Sequence, residues 1–107
     1  MSWTTYKKQF KSYLTLERSL AKNSVEAYLQ DISRLEQFFE IKNENILPNA
    51  VTQQQIIDFL EFITELGMSA YTQARMVSGL KSFFRFLEYE ELIEKDPSAL
   101  IEAPKLG

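Results

Sequence analysis

Residues 69–87 read SAYTQARMVSGLKSFFRFL, and this stretch decides the fold. At about 100° per residue, Phe83, Met76, Leu87, Leu80, Phe84 and Val77 fall within an arc of roughly 120°. Lys81, Ala74, Arg85, Ser78, Tyr71, Ser82 and Arg75 fill a second arc of similar width. That second arc carries three cations, several hydroxyls and no carboxylate. Solvated helix faces usually mix both charge signs, so a face without acids points to an anionic partner. Basic and hydroxyl side chains suit phosphate oxygens and base edges in a DNA groove.

Outward from this helix the whole chain reads as helical, with three glycines, three prolines and no stretch that alternates like a strand. Upstream, Thr52 and Gln55 form a capping box for a helix whose core face is Ile56, Phe59, Leu60 and Ile63. Gly67 suits the position just past its end. Ser69 caps the helix that follows, and the short turn makes the two neighbours. Further upstream, Asn23 and Glu26 resemble another capping box, opening a helix with Val25, Tyr28, Leu29, Ile32, Leu35, Phe38 and Phe39 as its stripe. Pro48 blocks its continuation, and Ile46, Leu47 and Val51 are expected to anchor the loop. The first helix is expected from Thr4 to Arg18, with Tyr6, Phe10, Tyr13 and Leu14 inward and Lys7, Lys8 and Lys11 outward. After Tyr89, Asp96 and Pro97 predict a short last helix ending at Ala103 or Pro104. The expected fold is all-α: a compact bundle of four amphipathic helices plus a short C-terminal helix. Gly79 and Phe86 lie between the two arcs, Gly79 where a close helix crossing would require it.

The chain of 107 residues contains no cysteine and no histidine. Disulfides, thiolate metal sites, His-based acid–base catalysis and His-dependent triads are thereby excluded. No glycine-rich phosphate loop is present, and acidic pairs such as Glu90 and Glu91 read as solvated surface. No catalytic residue, cofactor or metal site is expected, so any catalysis would come from residues outside this chain. No apolar run approaches a membrane span, and the N-terminus lacks the apolar region of a signal peptide. The expected compartment is the cytoplasm, with no membrane partner.

The net charge is −3. Its distribution matters more than its sum: residues 1–22 carry +4, 23–66 carry −6, 69–87 carry +3 and 88–107 carry −4. Two basic segments therefore alternate with two acidic ones, which allows a local positive surface on an acidic chain. The first basic segment ends in the junction ERSLAKNS, residues 17–24, where Lys22, Asn23 and Ser24 open a helix. Backbone N–H groups at such a start favour phosphate, although capping alone also accounts for these residues. Tyr28 falls in the apolar stripe of its helix, whereas Tyr71 sits near the middle of the basic arc.

Three ordered segments carry a family resemblance. Phe10 to Ile32 shows F-x-x-Y-L-x-x-E-R-x-L-x-x-N-S-x-x-A-Y-x-x-D-I. Ser69 to Leu87 shows S-A-Y-T-x-A-R-x-V-S-G-L-K-S-F-F-R-F-L, and Asp96 to Lys105 shows D-P-S-A-L-I-x-A-P-K. Together they resemble the N-terminal core-binding domain of tyrosine recombinases, the phage integrase and Xer-type family. The resemblance implies a SAM-like helical domain over residues 1–103 that forms half of a C-shaped clamp around duplex DNA. Residues 104–107 would begin a linker to a catalytic domain. It implies DNA contacts from Lys22, Asn23, Ser24 and Tyr28, and from Ser69, Thr72, Arg75, Ser78, Lys81, Ser82 and Arg85, to which the arc adds Tyr71. The tyrosine nucleophile and its Arg/His/Arg set belong to the absent C-terminal domain. Implied partners are double-stranded DNA, that catalytic domain and other protomers in a synaptic tetramer. The chain departs from the family at Leu29 and Gln30, where two basic residues are frequent, and at Ser19, where glycine is common.

Two other readings compete. A protein–protein interaction module would use Glu88, Glu90, Glu91 and Glu94 against a basic partner, with Phe86 as an exposed anchor. A helix-turn-helix regulator would use the helices on either side of Gly67, and symmetric half-sites would reveal it.

Overall fold

The computed structural model describes residues 1–105. They form four α-helices, α1 Trp3–Ser12, α2 Lys22–Ile41, α3 Gln53–Glu65 and α4 Ala70–Tyr89, with no strand among the described residues. The all-α expectation holds. The chain divides at the Pro48–Ala50 3-10 turn into two compact units, Met1–Ala50 and Val51–Gly107.

In the first unit α1 packs on α2 through Trp3, Tyr6 and Phe10. The Trp3 ring lies against Phe39, and its indole N–H donates to the Ile46 carbonyl at 2.8 Å, so the loop after α2 is tied down by a side chain of α1. Lys7 is drawn to α2 as well: its ammonium donates to Glu36 at 2.7 Å and to Ser33 at 3.2 Å. Pro48 and Val51 are buried and Ile46 is half-buried, whereas Leu47, expected to anchor the loop, is exposed.

The first helix does not run as one α-helix to Arg18. It widens at Tyr13–Glu17 into a π-helical turn. The widened turn keeps Leu14 buried but leaves Leu16 77% exposed. It closes when the Leu20 N–H reaches the Leu14 carbonyl at 3.0 Å and Ser19 adopts φ 53°. This corner also moves the start of α2. Ala21, not Asn23, occupies the N-cap position with extended backbone, and no side chain caps the helix. The expected Asn23–Glu26 capping box does not form, because Asn23 already lies inside the first turn.

In the second unit the capping box of α3 forms as expected: Thr52 Oγ1 accepts from the Gln55 N–H at 3.2 Å, and Gln55 Oε1 accepts from the Thr52 N–H at 2.9 Å. Ile56, Phe59 and Ile63 of α3 are buried, with Met76, Val77, Leu80, Phe83, Phe84 and Leu87 of α4. Gly79 and Phe86 are buried too. The expected fifth helix is absent: residues 97–100 make a single turn, and residues 101–105 carry no regular structure. The expected linker over 104–107 lies partly outside the described residues.

Three helices end alike. Asn43, Gly67 and Glu91 have φ 55°, 86° and 59°, and each is followed by an N–H that reaches back to the carbonyl five residues earlier. This Schellman ending satisfies carbonyls that the helix leaves without partners.

Candidate nucleic-acid interface

Helix α4 starts where Ser69 Oγ accepts from the Thr72 N–H at 3.2 Å. The same hydroxyl donates to Thr72 Oγ1 at 3.0 Å, so Thr72 keeps its own proton for a further acceptor. Gln73 fixes the turn from α3. Its Nε2 donates to the Met68 carbonyl at 2.9 Å, and its Oε1 lies 3.0 Å from the Thr64 hydroxyl. The helix that presents the basic arc is thereby anchored at its N-terminus.

Along α4, Tyr71, Arg75, Ser78, Ser82 and Arg85 follow one another at steps of four, three, four and three, which makes a single stripe. Tyr71 is 75% exposed, and Arg75, Ser78 and Arg85 are exposed, while Thr72 and Ser82 are half-buried. From Tyr71 to Arg85 the stripe is about 21 Å long. No acid stands between residues 69 and 87.

Lys81 is placed differently from its neighbours in the arc. It is half-buried, and its ammonium donates to the carbonyls of Ser98 at 3.0 Å, Ala99 at 3.1 Å and Ile101 at 2.6 Å. An ammonium has three protons, so these bonds use its whole donor capacity. The sequence contained no sign of this, because backbone carbonyls have no residue signature.

The other expected cluster belongs to the first unit. Lys22, Asn23 and Ser24 are all exposed and occupy the first turn of α2, where no side chain caps and no acid stands. The first intrahelical bond there runs from the Val25 N–H to the Ala21 carbonyl at 3.0 Å. The N–H groups of Lys22, Asn23 and Ser24 precede it and point out of the helix start, a geometry that suits an anion. Tyr28 is half-buried with its ring edge-on to Phe10 at 6.4 Å, in keeping with its place in the apolar stripe. The corner that exposes this helix start needs Ser19 in the left-handed region, which accounts for the fit of glycine at that position.

Phe86, the anchor required by the protein-interaction reading, is buried at 5% exposure and offers no surface.

A basic, acid-free stripe thus lies along one face of α4. Comparison with known proteins places the chain in a family. The family model "Phage integrase, N-terminal SAM-like domain" matches residues 8–91. The chain belongs to that family. It is similar to Tyrosine recombinase XerD of Listeria monocytogenes serovar 1/2a, with 31% identity over 90% of this chain and 32% of the relative. Tyrosine recombinase XerC of Herpetosiphon aurantiacus is 33% identical over 92% of this chain and 32% of its own length. Tyrosine recombinase XerD of Proteus mirabilis is 37% identical over 92% of this chain and 31% of its own length. The chain spans about a third of the length of the curated relatives it matches. No solved structure matches it.

Proposed function

We propose that this chain is the DNA-binding N-terminal domain of a site-specific tyrosine recombinase, acting in the cytoplasm as half of a clamp around duplex DNA at the recombination site. The observation that carries this reading is the acid-free stripe Tyr71–Arg75–Ser78–Ser82–Arg85 on α4. Arg75 and Arg85 serve phosphates, while Tyr71, Ser78 and Ser82 face sugar and base edges. Ser69 and Thr72 supply hydroxyl contacts at the helix start. Lys22, Asn23 and Ser24 hold a further phosphate at the uncapped start of α2, with Tyr28 supporting that turn from its contact with Phe10. Strand cleavage and rejoining in the longer parent fall to a C-terminal catalytic domain, and other protomers complete a synaptic tetramer.

The test is a titration of this chain against a fluorescent duplex at several salt concentrations. A domain with roughly three to six phosphate contacts loses affinity steeply between about 50 and 200 mM salt. No binding at the low end, or binding insensitive to salt, overturns the reading.

A further inference from the structure

The segment after α4 has no regular secondary structure, yet Asp96, Ser98 and Ile101 in it are buried. Side chains hold it in place. Glu88 Oε2 accepts from the Asp96 N–H at 3.0 Å. Asp96 Oδ1 in turn accepts from the Ser98 N–H at 2.8 Å and the Ser98 hydroxyl at 2.6 Å, which forms the turn. Lys81 then binds the three carbonyls at the far side of that turn. Lys81 and Glu88 are seven residues apart, so they share one flank of α4 about two turns apart. That flank adjoins the Tyr71–Arg85 stripe.

We infer that Lys81 and Glu88 form a two-point latch through which α4 sets the direction of the chain beyond Ser98, with Lys81 a positioning residue and not a phosphate contact. The physical grounds are donor capacity and charge. Three charge-assisted bonds to carbonyls are stronger than neutral ones, and a phosphate would have to displace them to reach the ammonium. The matched relatives are about three times as long as this chain, so in a protein of that length the latch would orient whatever follows against the helix that carries the stripe. The latch stands on geometry within the second unit and does not depend on the DNA reading.

The experiment compares wild type, Lys81→Met, Lys81→Arg and Glu88→Ala in the 107-residue chain. Amide hydrogen exchange and residual dipolar couplings are measured over residues 96–103, and the salt slope of duplex binding is measured alongside. Methionine keeps the aliphatic stem and removes the charge. In Lys81→Met the Ala99 and Ile101 amides should exchange about tenfold faster, the size expected for losing a charged hydrogen bond. Their couplings should average, while α4 core amides stay protected. Arginine should restore both signals. Glu88→Ala, at an exposed position, should loosen Asp96 and Ser98 without touching the lysine, and it decides the question if Lys81→Met fails to fold. Unchanged exchange and couplings in Lys81→Met and Glu88→Ala overturn the latch. A fall of about one unit in the salt slope of Lys81→Met also overturns it, since that is the loss of one phosphate contact. If wild type binds no DNA, the proposed function fails, and the exchange data still decide the latch.

Discussion

Replacing Arg75 and Arg85 together with alanine should change the salt dependence of DNA binding by an amount that the helix geometry sets. The two residues are ten positions apart on α4, which is about 15 Å of helix. At that separation they cannot share one phosphate, so each neutralises its own. Each phosphate contact contributes about 0.9 to the slope of log K against log salt, and the double variant should therefore lose about 1.8. Over a fourfold rise in salt, that slope difference is about a 12-fold difference in how much affinity is lost. The variant should bind more weakly at low salt, and the two titrations should converge as salt rises. Both side chains are exposed, so helicity should be unchanged. Fluorescence anisotropy at four salt concentrations, with circular dichroism as the folding control, measures all of this. An unchanged slope would refute the assignment of these arginines to phosphates, even if affinity fell. Unchanged slope and unchanged affinity would remove α4 from the interface.

Other substitutions test other joints of the structure. Asn23→Asp with Ser24→Asp adds acid to the uncapped start of α2, which should raise stability by about 0.3–1 kcal/mol through the helix dipole while weakening DNA binding; a thermal melt and the duplex titration should move in opposite directions. Ser19→Gly relieves φ 53° at the corner after α1 and should stabilise the chain by about 1 kcal/mol, read as a higher thermal midpoint. Thr52→Ala removes the capping box of α3 and should cost about 1 kcal/mol in chemical denaturation. Phe83→Ala empties a fully buried site in α4 and should cost about 3–5 kcal/mol by the same assay.

The local signals that proved legible were those whose partners lie within a few residues. Thr52 with Gln55, Ser69 before its helix and Gly67 after the previous one each act over a single turn, and each stands where the pattern placed it. The apolar arc of α4 was legible for a related reason: a twenty-residue helix averages many apolar choices, and all six residues of that arc are buried, with Gly79 and Phe86 from its edge buried beside them. What stayed hidden depends on geometry that residue types do not encode. The π-turn at Tyr13–Glu17 breaks the period midway, so a reading at constant period carries the first helix to Arg18. The shifted start of α2 follows from that turn, because the chain enters from a corner closed by the bond from Leu20 to Leu14. A capping box at Asn23 and Glu26 was chemically possible, and the entry direction overrode it. The fifth helix failed because Asp96 caps only its own turn through Ser98, and the carbonyls of Ser98, Ala99 and Ile101 meet Lys81, with the Ser98 carbonyl shared with the Ile101 amide.

The position of Lys81 alters how the charge of this chain should be weighed. Residues 69–87 carry +3, yet one of those charges faces three carbonyls, so the cations of the stripe itself are Arg75 and Arg85. The following segment, residues 88–107, carries −4. At physiological salt, charges more than about 8 Å apart in solvent are largely screened from each other, so the acids nearest the stripe matter most, and Glu88 stands one turn beyond Arg85 on α4. Under the proposed reading, two arginines and several hydroxyls make the α4 stripe a small electrostatic contact, and the affinity of the domain alone should be correspondingly low. A second DNA-binding half on the same chain would raise it by effective concentration, provided that the connection holds the two halves in a geometry both can use. Under the proposed reading that requirement falls on the segment gripped by Lys81 and Glu88. The lysine that adds nothing to the phosphate count would then govern how well the remaining contacts act together.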